Sequence, residues 1–360
     1  MHEFQQNHIL SSYFAPRGHA RMYALGMQLA QLYLSPYDKL IGIIGEAGSG
    51  KSALIRGMFP GLELTNDDNG VYVRPLPLLQ QNKGSFRFFS PHTYHLDIRF
   101  ENGFTQMSVL ADAICEALAN GKRVIVEHFD LVYPLLGFNA NLIIGVGEEV
   151  LVSRPSLFGP EPNEIKDVVY ASLPYRLMAH TAEDLCEHCM PKEDLIHESS
   201  HSEVKHGFII TFPEKPSFDI KELETKVQKL IADDLSVTYV DNTHISIGDD
   251  IEPCTGPRMH VPRTGMIENF HLLDHFVYDK LRKQYLLIGC VGNDAEANLR
   301  KLDAQQKKQS ELTTLDLETE NLGIDINAGV AVNKGIEIDD SNKFNSHDDF
   351  SIFNNQPFIF

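Results

Sequence analysis

The sequence contains no long uninterrupted apolar run; nothing in it approaches the ~20 residues that a helix needs to cross a bilayer. Basic residues are scarce relative to acidic ones: 31 Lys and Arg face 50 Asp and Glu, a formal net charge of −19. That balance disfavours a general nucleic-acid-binding surface and leaves room only for a local basic groove. Cysteine is sparse and odd in number, at 5, so no disulfide framework is expected. Together with a polar start, Met1-His-Glu-Phe-Gln-Gln, that lacks an apolar leader core, this predicts a cytoplasmic protein with no membrane partner. Tryptophan is absent, which excludes nothing, and no internal repeat is visible.

Against these absences stands one dense signal. The apolar run Leu40-Ile-Gly-Ile-Ile44 reads as a buried strand, and it enters Gly45-x-x-x-x-Gly50-Lys51-Ser52 ahead of a helix-compatible segment. Strand, loop and helix in that order are the context a P-loop requires. Backbone N–H groups must converge on phosphate oxygens, which calls for glycine at Gly45, Gly48 and Gly50. The loop Gly45, Glu46, Ala47, Gly48, Ser49, Gly50, Lys51 and Ser52 is therefore expected to bind ATP with Mg²⁺. Lys51 would reach the β- and γ-phosphates and Ser52 would hold the metal. ATP is preferred over GTP as the commoner nucleotide, and no Asn-Lys-x-Asp guanine-reading motif occurs.

At 360 residues the chain is long for one core, and two domains are the natural expectation. Residues 1–158 read as an α/β nucleotide-binding domain with a central, mostly parallel sheet. Within it, residues 18–34 and 106–119 carry helical apolar spacing. Residues 90–100 alternate, with Thr93, His95, Asp97 and Arg99 on one face of the expected strand. That face either looks into the phosphate cleft or is solvated. Lys122-Arg-Val-Ile-Val-Glu127-His-Phe-Asp130 is an apolar strand closing on an acid, the Walker-B pattern, with Glu127 favoured over Asp130. Lys51, Glu127 and Asp97 are thus the expected catalytic residues. Asp67 and Asp68 form either a plain turn or a metal-organising pair.

The Pro- and Gly-rich stretch 155–162 marks the expected boundary to a second, α+β domain over residues 159–293. Beyond it lie a polar helical segment and an acidic, Asn-rich tail over residues 294–360. The second domain carries four metal-like patterns: His180 with Asp184 at i, i+4; Cys254 with His260; Cys186-Glu-His188-Cys189; and His197-Glu198-Ser-Ser-His201. The last matches H-E-x-x-H literally, but its serine-rich flanks are weak helix formers. Each pattern alone is more often polar surface than a ligand set.

Taken together, His180-Thr-Ala-Glu-Asp-Leu and Cys254-Thr-Gly-Pro-Arg-Met-His260-Val-Pro-Arg-Thr264-Gly265 resemble the second additional domain of alanyl-tRNA synthetases and their free-standing editing relatives. That family binds zinc through a His-x-x-x-His helix and a later Cys and His, in a site that hydrolyses mischarged aminoacyl-tRNA. The resemblance implies a Zn²⁺ set of His180, Asp184, Cys254 and His260. Asp184 stands at the second histidine, and the Cys-to-His gap is two residues longer. The whole arrangement is similar to bacterial proteins described as P-loop proteins with this domain. Three functions follow as expectations. One is a P-loop NTPase or kinase whose second domain recognises an aminoacyl, tRNA-like or small-molecule substrate. The others are a nucleotide-switched binding module and a metal-dependent deacylase, the last weakened by the acidic balance.

Overall fold

The computed structural model describes residues 10–65, 77–80, 92–155, 159–194 and 200–305. The Asp67–Asp68 pair, the His197–Glu198 half of the H-E-x-x-H match and the acidic tail lie outside the described residues.

The chain opens with β1 (Leu10–Phe14), α1 (His19–Tyr33), β2 (Leu40–Ile44) and α2 (Lys51–Met58). It continues through β3 (Thr93–Asp97), α3 (Ile98–Glu101), α4 (Met107–Ala119), β4 (Arg123–Glu127), α5 (Phe129–Leu136), β5 (Leu142–Val146) and β6 (Glu149–Ser153). The six strands form one sheet in the order β1-β6-β5-β2-β4-β3. The central run β5-β2-β4-β3 is parallel, while β6 and β1 add antiparallel pairs at one edge. This is a mixed α/β layer with a mostly parallel sheet. Every residue of β2 and β5 is buried, as strands covered on both faces must be. Helix α1 presents Met22, Leu25, Gly26 and Leu29 at helical spacing to the core. It crosses α2 so closely that a Cβ on Gly57 would stand 2.0 Å from Tyr23 O, and one on Gly26 2.2 Å from Leu54 O.

One strand expectation is corrected. The alternating stretch does not run on to Phe100: β3 stops at Asp97, whose carboxylate accepts the Phe100 N–H at 3.0 Å and starts α3. Arg99 therefore leaves the strand face and pairs with Glu46 at the surface. Nor is the polar face of β3 solvated, although β3 is an edge strand, because His95 and Asp97 are both buried.

The proline-rich connector leads into α6 (Pro162–Cys189), a single helix of 28 residues and about 42 Å. Glu161 and Glu164 cap it reciprocally and Pro162 occupies its first turn. Residues 163–173 are thus helix, and Pro174 is accommodated within it rather than ending it. Ile165 and Val169 join the core of the six-stranded sheet; Met178, Ala182 and Leu185 join a second core.

That second core is closed by β7 (Ser200–Val204), β8 (Gly207–Phe212), α7 (Ile220–Ala232), β9 (Val237–Asp241), β10 (His244–Ile247) and β11 (Asp250–Pro253). The strands β12 (His271–Leu272), β13 (Val277–Asp279) and β14 (Gln284–Cys290) follow. They form an antiparallel β11-β10-β9 sheet and a second antiparallel sheet, β12-β14-β8-β7, with β13 beside β14. Asp219 caps α7, accepting the Glu222 N–H at 2.9 Å, and Ile220, Leu223 and Val227 face inward. All described residues belong to one compact unit spanning residues 1–310. No helix among them is long and apolar enough to cross a membrane.

Candidate functional site

In open parallel sheets, ligands bind outside the carboxyl ends of the strands. Here those ends bring together three segments: Gly45 to Ser52 after β2, Asp97 at the end of β3, and Glu127 with His128 at the end of β4. Gly50 takes φ 95°, a left-handed turn that an L side chain resists, and caps α2. Among the described residues the N–H groups of Gly50, Lys51 and Ser52 have no partner, as expected for the first turn of a helix. They are donors available to an anion, at the positive end of α2.

Lys51 is buried, and its Nζ donates to the Glu46 carbonyl at 2.9 Å across the loop. It also lies 3.7 Å from Glu127 Oε2. The other Glu127 oxygen is 3.0 Å from His95 Nε2. The Thr65 N–H donates to His95 Nδ1 at 3.0 Å, which fixes the ring proton on Nε2 and makes it the donor to Glu127. Burial works toward a neutral Glu127, but the hydrogen bond from His95 and the charge of Lys51 hold the carboxyl below its ordinary range. At neutral pH Glu127 is therefore an anion able to accept a proton or hold a cation.

One ligand atom each from Asp97, Glu127 and His128 lies within 4.8 Å of the others, and all three residues are buried. His128 adopts φ 56° and ψ 45°, a left-handed conformation that costs energy for a residue with a Cβ. Burial, followed by the charge of Lys51, lowers the pKa of His128 and keeps its ring neutral and ligand-competent. The carboxylates of Asp97 and Glu127 are hard oxygen donors that suit Mg²⁺. Asp130, the alternative to Glu127, sits on the first turn of α5 and pairs with Lys166 of α6 at 2.8 Å.

A cleft of about 490 Å³ opens on the α2 side of the loop, and Gly48, Gly50, Lys51, Ser52 and Ala53 form one wall. Thr255 to Met259, in the loop between Cys254 and His260, form the opposite wall, and a Cβ on Gly48 would lie 3.2 Å from Arg258 O. Lys51, Arg56, Arg176 and Arg258 are four cationic residues in the lining, with His19 beside them and no acid among the described lining residues. Arg176, from α6, braces the loop from beneath: it donates to Ser49 O and Gly147 O, each at 3.0 Å, and to Pro16 O at 3.1 Å. Burial lowers its pKa to about 10.

The second-half residues converge in part. Asp184, Cys254 and His260 each place one ligand atom within 4.8 Å of the others, whereas His180 is outside that group and its Nδ1 has no partner among the described residues. Cys254 Sγ is 3.2 Å from His260 Nε2, and His260 Nε2 is 3.4 Å from Asp184 Oδ2. Burial pushes the Cys254 thiol up to about 11 and the His260 ring down to about 4. The Arg17 guanidinium stands among them, paired with both Glu183 and Asp184. The Cys186–Cys189 pattern does not close on a metal, since His188 pairs instead with Glu252 at 2.6 Å. The literal H-E-x-x-H match does not lie on a helix at its second histidine, as its serine-rich flanks suggest: Ser200–Val204 is a strand, so His201 cannot sit on the helix that the motif needs.

Sequence reasoning missed Arg17, Arg176, His128 and Arg258. One sign was available for Arg176: with His180, Glu183 and Asp184 it makes a polar stripe at helical spacing on α6, a stripe that proves buried.

No family model matches the chain, and no curated protein matches it. Among solved structures it has a weak likeness to DndA from Streptomyces lividans, at 13% identity and a TM-score of 0.22, covering 79% of this chain and 83% of that one. A likeness that low carries no argument about fold or activity.

Proposed function

We propose that this chain is a Mg²⁺-dependent P-loop enzyme that binds a nucleoside triphosphate, ATP by preference, and hydrolyses or transfers its terminal phosphoryl group. The observation that carries the reading is the cleft, whose described lining includes four cationic residues and no acid in a chain of net charge −19. Such a local reversal of sign attracts a polyanion. The amides at the start of α2, unpartnered among the described residues, and the ammonium of Lys51 suit the β- and γ-phosphates in particular.

In this reading Lys51 exchanges its contact with Glu46 O for a phosphate oxygen. Ser52, Asp97 and Glu127 are the residues that would hold Mg²⁺, and a bound ion would supply positive charge to offset that of the phosphates. Glu127, oriented by the Nε2–H of His95, accepts the proton of the attacking hydroxyl or water. His95, itself locked by the Thr65 N–H, keeps that carboxylate from rotating away. Catalysis then consists of positioning and charge stabilisation.

The residues after Asn163 supply the recognition surface in this reading, through the wall at Thr255 to Met259. An aminoacyl, tRNA-like or small-molecule acceptor would enter there. The direct seating of Arg258 O against Gly48 also supports a second reading, a switch in which nucleotide binding moves this wall and gates a partner. Binding of a fluorescent ATP analogue with Mg²⁺, followed by phosphate release with and without candidate acceptors, tests both. Binding that survives Lys51→Ala unchanged would refute the first. Tight binding with no release or transfer under any condition would favour the second.

A further inference from the structure

We propose that the guanidinium of Arg17 takes the place of a metal ion among Asp184, Cys254 and His260, making this cluster a latch between β1–α1 and the second core rather than a zinc centre. The donor set is chemically one that zinc accepts: a carboxylate, a thiol and an imidazole. Its donors are, however, already directed at another cation. Arg17 Nη2 donates to Asp184 Oδ1 and lies 3.2 Å from Cys254 Sγ, while Nη1 donates to Glu183 Oε2 at 2.5 Å. The fourth expected ligand, His180, is not part of the group.

Arg17 is no surface side chain that has folded back. It is 3% exposed, its own N–H donates to Glu203 Oε1 at 2.8 Å, and a Cβ on Gly256 would lie 3.2 Å from its Cγ. Glu183 and Asp184 are equally buried, and two buried carboxylates need a cation. Arginine provides it permanently charged and with a planar fork of donors that can serve both acids and a thiol at once. A dication at the same point would face the guanidinium within contact distance of shared ligands, so the two exclude each other.

The placement gives the latch a task. Arg17 lies between β1 and α1, and Gly18, the residue after it, caps α1. Cys254 and His260 bracket the loop that walls the cleft. One guanidinium thus ties the start of α1 to that loop, a link that an ion held by Asp184, Cys254 and His260 would not make.

Metal analysis of the full chain after zinc loading and desalting tests this. Wild-type protein should retain only background zinc, while Arg17→Ala should retain about tenfold more or better, lost again in Arg17→Ala/Cys254→Ser. With Co²⁺, a thiolate-to-cobalt absorption band should appear in Arg17→Ala and not in wild type. Arg17→Lys, which keeps a positive charge, should remain as zinc-poor as wild type and serves if the alanine variant does not fold. Stoichiometric zinc in wild type that Cys254→Ser or His260→Ala removes would overturn the proposal. So would a folded Arg17→Ala that gains no zinc.

Discussion

Lys51 Nζ stands 3.7 Å from Glu127 Oε2, across the parallel β2–β4 pair, and both side chains are buried. Two buried groups of opposite charge at that distance offset part of each other's desolvation. On the proposed function the two have separable tasks. Lys51→Ala should weaken Mg-nucleotide binding by about 100-fold or more. Glu127→Gln should leave binding within about tenfold of wild type and slow turnover by about 10²–10³. Equilibrium binding and single-turnover rates distinguish them; unimpaired turnover in the Glu127→Gln variant would remove Glu127 from the chemistry.

His95 acts through Glu127, as a positioning residue. Glutamine in its place offers an amide donor on a different stem, so His95→Gln should lower turnover by roughly tenfold without changing nucleotide affinity. His95→Ala leaves a buried carboxylate short of a donor and should also destabilise the fold, by about 1–3 kcal/mol in denaturant titration.

The α1–α2 crossing is set by two glycines in backbone contact. Gly57→Ala would place a methyl 2.0 Å from Tyr23 O, where no rotamer change relieves it. The helices must part, at a cost of about 2–3 kcal/mol. Because His19 and Met22 of α1 and Arg56 of α2 line the cleft, nucleotide affinity should fall together with the melting temperature. Unchanged melting would show that the crossing has slack.

Glu148 provides a test by pH. Burial pushes its carboxyl up to about 7, against the His206 N–H that donates to it at 2.5 Å. Lys205 and Arg176 work in the same direction as that donor, and Glu149 opposes them. The folded state therefore binds this proton more tightly than the unfolded chain does. Between pH 4.5 and about 7 the unfolded carboxyl has ionised while the folded one still resists, so Glu148 removes stability as pH rises through that window. Relative to wild type, Glu148→Gln should gain about 1–3 kcal/mol on going from pH 4.5 to 7.5. Parallel stability curves for the two proteins would contradict this.

Much of the layout was legible because apolar spacing reports burial directly. The continuous run of β2 and the helical spacing of α1 and α4 are examples. The strand, loop and helix around Gly45 to Ser52 were legible for a different reason, since an apolar run, a glycine cluster and a helix-forming segment follow one another directly. What escaped was polar and buried. Hydrophobic patterning assigns charged residues to the surface, so the α6 stripe of Arg176, His180, Glu183 and Asp184 read as solvated apart from one candidate pair. Arg17 gave no signal at all: its partners lie more than 160 residues away. The end of β3 was misplaced because alternation persisted past Asp97, while the local hydrogen bond to Phe100 decided the turn.

The long helix that enters both cores has a practical corollary for anyone dissecting the protein. Arg176 grips the Ser49 carbonyl from a point well past the connector at residue 160, so a fragment cut there would carry its glycine-rich turn without the strut beneath it. Such a fragment should report poor ligand affinity for mechanical reasons alone. Conversely, grafting the latter portion onto an unrelated host would strand a buried guanidinium. The two portions are therefore not interchangeable cassettes.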